Sequence, residues 1–158
     1  MYLIKTPWWL RALYPSLIWR IKEPGKIIYL SFDDGPHETA TPFVLEQLRS
    51  FNAKATFFCI GKNVETWPGI YQKILDEGHS TGNHTYHHVN GWKVTDAVYM
   101  QEINETAKLV RSNLFRPPYG KIKRSQIKQL QTKNHPTGQP APTLQTNMWH
   151  VLSGEFDA

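Results

Sequence analysis

The sequence predicts an α/β domain built on parallel strands, and three observations carry that expectation. Two short apolar runs, Lys26-Ile27-Ile28-Tyr29-Leu30 and Ala55-Thr56-Phe57-Phe58-Cys59-Ile60, are rich in β-branched and aromatic residues and have the length of buried strands. Val44, Leu45, Leu48 and Phe51 recur at helical spacing between them, and Trp67, Ile70, Tyr71 and Ile74 do so after the second run. A strand, helix, strand, helix order needs crossovers that leave the strands parallel. Finally, charged residues gather where the strands should end, the place where parallel α/β folds put their active sites.

Taken in order, residues 1–24 form an aromatic amino-terminal segment containing Trp8, Trp9, Leu13, Leu17 and Trp19. Its expected role is to pack on one end of the domain, with an interfacial helix at a membrane surface as the alternative. Arg11 and Pro15 interrupt it and no small-residue cleavage site follows, so it reads as neither a cleavable signal nor a span. Residues 25–158 form the main domain. The first strand covers residues 26–30 and stops at Gly35-Pro36, and a helix follows with Thr41 as its cap and Pro42 in its first turn. Residues 55–60 are the second strand, 61–63 a loop, and 66–75 a helix. After the histidine-rich stretch 79–88, a longer helix is expected over 95–112, a short strand at 114–115, and a helix capped by Ser125 up to residue 130. Residues 132–146 show no apolar period and carry three prolines, so no strand is expected there.

The 158 residues suffice for one domain with a real core, and 40% hydrophobic with 20% charged residues is ordinary for a globular chain. The formal charge of +5 is spread along the chain except at 121–128, which argues against a nucleic-acid partner. Cys59 stands alone within an apolar run, so it reads as a small buried hydrophobe that fits a reducing compartment. Together with the amino-terminal pattern, this favours a cytoplasmic or membrane-associated protein.

Chemistry concentrates in three short motifs. Ser31-Phe32-Asp33-Asp34-Gly35-Pro36 places two adjacent carboxylates where the first strand should end, although Asp-Asp-Gly is also good turn chemistry. His84-Thr85-Tyr86-His87-His88 sets two imidazoles four residues apart, a spacing that lets both face one side of a helical turn. With either Asp33 or Asp34 they would make the two-histidine, one-acid set that leaves positions open on a metal, whereas His79 and His87 read as structural or solvated. Arg116-Pro117-Pro118-Tyr119-Gly120 offers a permanently charged fork on a stiff loop and, at Tyr119, a backbone amide suited to an oxyanion.

In this order the three motifs resemble the first three motifs of the polysaccharide deacetylases built on the NodB homology domain, over about residues 26–120. The resemblance implies a deformed (β/α) barrel and hydrolytic removal of N-acetyl groups from amino-sugar polysaccharides such as peptidoglycan or chitin, by water activated at one divalent metal, zinc foremost. By the same resemblance Asp33 is the catalytic base, Asp34, His84 and His88 hold the metal, Arg116 orients the base, and Tyr119 supplies the oxyanion donor. Glu155 and Phe156 are similar to the acid and aromatic of the fourth motif. The fifth motif, whose histidine is the general acid, has no counterpart. The barrel is therefore expected to be incomplete at its carboxyl-terminal side, with one edge of the sheet open and turnover slowed. The partner implied is an N-acetylated glycan; the alternative is a carbohydrate-binding pseudoenzyme that keeps the metal site and has little turnover.

Overall fold

A computed structural model of the chain describes residues 8–21, 26–131 and 144–148. After helix α1 (Trp8–Leu13) come β1 (Leu30–Gly35), α2 (Ala40–Ser50), β2 (Ala55–Cys59), α3 (Gly61–Thr66), α4 (Pro68–Asp76), β3 (Ser80–Asn83), α5 (Asp96–Leu109), β4 (Leu114–Phe115), a 3₁₀ turn (Pro118–Gly120), α6 (Arg124–Gln131) and β5 (Gln145–Thr146). The strands form one parallel sheet in the order β1-β2-β3-β4-β5. Because every pairing is parallel, all strand carboxyl ends emerge along one rim, and the three motifs of the sequence lie on it.

Two apolar clusters hold the helices to this sheet. Alternation along β2 sends Ala55, Phe57 and Cys59 into one cluster with Leu45 and Leu48 of α2 and Ile74 of α4. Tyr99 and Ile103 of α5, Phe115 of β4 and Ile127 of α6 form the other, which Leu17 of the amino-terminal segment joins. That segment also bonds the far side of the sheet: the Ile18 amide donates to the Thr146 carbonyl at 2.9 Å, and the Met148 amide donates to the Ile18 carbonyl at 2.8 Å. Among the described residues no helix is long and apolar enough to cross a membrane.

The sheet corrects the sequence expectations at several points. Residues 26–30 are not a buried strand. Ile27, Ile28, Tyr29 and Leu30 are exposed and β1 begins only at Leu30, because β1 is paired on one side alone, by β2, among the described residues. Thr41 is not the cap of α2; the helix starts at Ala40, and the buried Thr41 hydroxyl accepts from the His37 amide at 2.8 Å. The loop expected at 61–63 is the start of α3, whose first amides find acceptors across the molecule, Gly61 at the Thr85 carbonyl and Lys62 at the Tyr86 carbonyl. Ser125 lies inside α6 and does not cap it; the Gln126 side chain closes that end by accepting from the Lys123 amide at 2.9 Å. A strand does occur before residue 147: β5 pairs in parallel with β4 at Leu114↔Gln145 and Phe115↔Thr146. Residues 132–143 of the expected loop lie outside the described residues.

Candidate metal centre

The centre begins with an irregularity in β1. Phe32 is paired with Phe57 and Gly35 with Cys59, so Asp33 and Asp34 together face the single residue Phe58. In a regular strand two adjacent carboxylates would point to opposite faces. The bulge, with Asp34 in the left-handed region at φ 66°, re-aims them so that both serve one site. The Asp34 carbonyl is anchored by the Asn63 side chain of α3, whose amide nitrogen donates at 2.8 Å.

The histidines come from the turn after β3, and that turn is not helical. Thr85 and His88 both adopt left-handed backbone angles, φ 63° and 56°. Side chains hold this unfavourable geometry in place. The buried Asn83 accepts from the Thr85 amide at 2.9 Å, the Thr85 hydroxyl accepts from the Val89 amide at 3.1 Å, and the Glu102 carboxylate on α5 accepts from the His87 amide at 2.7 Å. The result brings His84 Nε2 to 3.3 Å and His88 Nε2 to 3.1 Å from the same Asp34 oxygen. One ligand atom from each of the three residues lies within 4.8 Å of the other two.

These donors fit a cation. His84 Nδ1 lies 2.7 Å from the Arg116 carbonyl, which can only accept, so Nδ1 carries a proton and Nε2 is the ring atom turned toward Asp34 and left to ligate a cation. Hydrogen bonds from His84 and then His88 hold the Asp34 carboxyl well below the usual carboxylate range, so it is ionised and ready to ligate. His84 is buried while the Asp34 side chain is 59% exposed, which leaves the pocket closed behind and open in front.

Asp33 takes a different place. Its oxygen accepts from Arg116 Nη1 at 2.7 Å, and the same nitrogen donates to the Ser31 hydroxyl at 2.9 Å. The Arg116 guanidinium is buried and lies 4.0 Å over the Phe58 ring. Burial lowers the pKa of that guanidinium while Asp33 raises it. Phe58 in turn occupies space that only a glycine leaves: a Cβ on Gly82 would lie 2.5 Å from its ring. Tyr119, at φ 57°, turns the chain beside His88. The structure thus brings Asp33, Asp34, His84, His88, Arg116 and Tyr119 to one rim.

Glu155 and Phe156 lie outside the described residues. The spare histidines are elsewhere: buried His79 accepts the Ala55 amide at 3.3 Å, and His87 pairs with Glu102 at 2.9 Å. Asn63, Glu102 and Phe58 support the site but carry no mark in the sequence, since a helical glutamate, a loop asparagine and a strand phenylalanine are common everywhere. Ser31 was within the first motif, and only its contact with Arg116 gives it a part.

Comparison with known proteins follows the same residues. A family model described as polysaccharide deacetylase matches residues 20–137. The chain is 41% identical over 113 residues to a peptidoglycan-N-acetylglucosamine deacetylase of Bacillus cereus, a match covering 68% of this chain and 41% of that protein. The chain therefore spans less than half the length of that relative. Among solved structures, a peptidoglycan N-acetylglucosamine deacetylase bound to a hydroxamate-type benzamide superposes with a TM-score of 0.71 at 29% identity, covering 92% of this chain and 81% of that one. A family 4 acetyl xylan esterase from Clostridium thermocellum, in complex with a cobalt ion, does so with a TM-score of 0.60 at 28% identity, covering 65% and 54%.

Proposed function

Since the chain belongs to the polysaccharide deacetylase family, we propose that it is a zinc-dependent hydrolase that removes N-acetyl groups from amino-sugar polysaccharides of the peptidoglycan or chitin type. The observation that carries this reading is the separation of two carboxylates that are neighbours in sequence. Asp34 joins His84 and His88 in a three-donor pocket, while Asp33 stands apart from it on Arg116.

Asp34, His84 and His88 would hold the cation, which when bound supplies Lewis acidity toward the amide carbonyl and makes water a stronger acid. Asp33 is then the base: the buried Arg116 guanidinium, 2.7 Å from its oxygen, keeps it aimed, and it takes the proton of the attacking water. Negative charge grows on the acetamide oxygen, toward which the Tyr119 amide donates. Collapse of the tetrahedral species breaks the C–N bond as the departing nitrogen takes back the water proton held by Asp33; acetic acid then gives its own proton to the free amine, so acetate and the ammonium of the sugar leave. The name of the Bacillus cereus relative supports the substrate class.

The test is acetate release from an N-acetylglucosamine oligomer by the purified chain, with zinc and after chelation. Release that depends on metal is expected. A chain that binds zinc and glycan and releases no acetate would be a carbohydrate-binding pseudoenzyme, and one that binds no metal would overturn the reading altogether.

A further inference from the structure

The loop after β4 does more than present Arg116. It touches Asp33 and both histidines of the centre: its guanidinium holds Asp33, its Arg116 carbonyl holds His84 Nδ1, and its Tyr119 hydroxyl lies 3.1 Å from His88 Nδ1. The Tyr119 and His88 rings are also in contact, with centroids 4.5 Å apart. His88 needs such a hold. It is the less buried of the two histidines, its backbone is left-handed, and its Nε2 must be aimed at the position shared with Asp34. An imidazole that ligates through Nε2 carries its proton at Nδ1 and donates it to a neighbour, and the phenol oxygen is placed to accept it.

We propose that the Tyr119 hydroxyl is a positioning group that fixes the tautomer and tilt of His88 for metal binding. This role rests on the proposed metal site and is distinct from that of the Tyr119 backbone amide. The two roles separate chemically, because replacing tyrosine by phenylalanine removes the hydroxyl and leaves the amide. Arg116 and Tyr119 would then brace the two histidines from behind, one through a carbonyl and the other through a phenol, while the two prolines between them keep the braces at fixed separation.

The experiment is a competition titration of zinc against a chromophoric chelator, on the chain and on Tyr119→Phe, with the cobalt(II) absorption spectrum and the thermal midpoint of the metal-free proteins recorded beside it. Tyr86→Phe is the control: it removes a hydroxyl from the same histidine turn, but that hydroxyl bonds Glu65 and not a metal-binding histidine. Tyr119→Phe should weaken zinc by about 10–100-fold, the usual loss for an outer-shell partner, and should change the cobalt spectrum at an unchanged metal-free midpoint. Tyr86→Phe should keep the parent affinity. The proposal is overturned if Tyr119→Phe binds zinc as the parent does with the same cobalt spectrum, if Tyr86→Phe loses as much, or if a fall in the metal-free midpoint accounts for the loss. A parent chain that binds no zinc would overturn the metal site as well, which distinguishes the two failures.

Discussion

The two ends of β1 meet opposite fates. Leading into it, Ile27, Ile28, Tyr29 and Leu30 are 56%, 84%, 55% and 41% exposed, although they form one of the most strand-like apolar runs in the chain. Three residues further on, Asp33 and Asp34 are the least strand-like pair, yet they are gripped by Arg116, Asn63, His84 and His88. The contacts of the acids arrive along the strand axis, from loops and helix starts at the carboxyl ends of neighbouring elements. Burial of the apolar end needs a neighbour from the side, and among the described residues β1 has one only at β2. Site geometry in this fold thus follows from where parallel strands end, whereas burial follows from how far the sheet extends.

Substitutions at the acid end should have the largest effects. His84→Ala removes a buried ligand held by the Arg116 carbonyl, and zinc affinity by competition titration should fall well beyond the ~10–100-fold typical of outer-shell changes. Full retention of zinc would break the picture of a convergent rim. Asp33→Asn should keep the metal and lose turnover by roughly 10²–10⁴-fold, the usual contribution of a general base, read as acetate release at saturating zinc. If Asp33→Asn instead strips the metal, the roles of the two acids are exchanged. Arg116→Lys should retain zinc and lower turnover by roughly 10–100-fold, since one or two charged hydrogen bonds at about 1.5–3 kcal/mol each are weakened and an ammonium cannot reproduce the fork. An unchanged rate would mean that Asp33 needs no holding.

How much of this was legible in the sequence follows the same division. The α/β order, the second strand and the residues of the rim are readable because periodicity and strand-end chemistry are local. The histidine spacing is readable too, but its geometry is not: His84 and His88 share a face through two left-handed residues and three side-chain tethers, not through a helical turn. β3 escapes detection because Ser80-Thr81-Gly82-Asn83 has no apolar pattern; its glycine is there for the Phe58 ring and its asparagine for the turn. The exposure of residues 27–30 is not legible in the sequence, because an apolar run reports affinity for a neighbour, not the presence of one.

The smallest expected effect lies at that end and tests the comparison from the other side. Ile28 is 84% exposed, and the nearby apolar groove between β1 and α2 is lined by Leu30, Phe32, Phe43 and Phe51. An apolar edge of this kind is a site for pairing with another chain, and a lysine there opposes such pairing through charge and hydration. Ile28→Lys exchanges one solvated side chain for another in the folded monomer, so its unfolding free energy should stay within about ±0.5 kcal/mol of the parent. Zinc affinity and acetate release should be unchanged, because Ile28 is solvated and precedes β1 at the end opposite the rim. Self-association by sedimentation velocity should fall. A loss of stability of about 2 kcal/mol or more would place Ile28 in a packed environment, since that is the scale of a buried aliphatic side chain, and the contrast between the two ends of β1 would collapse.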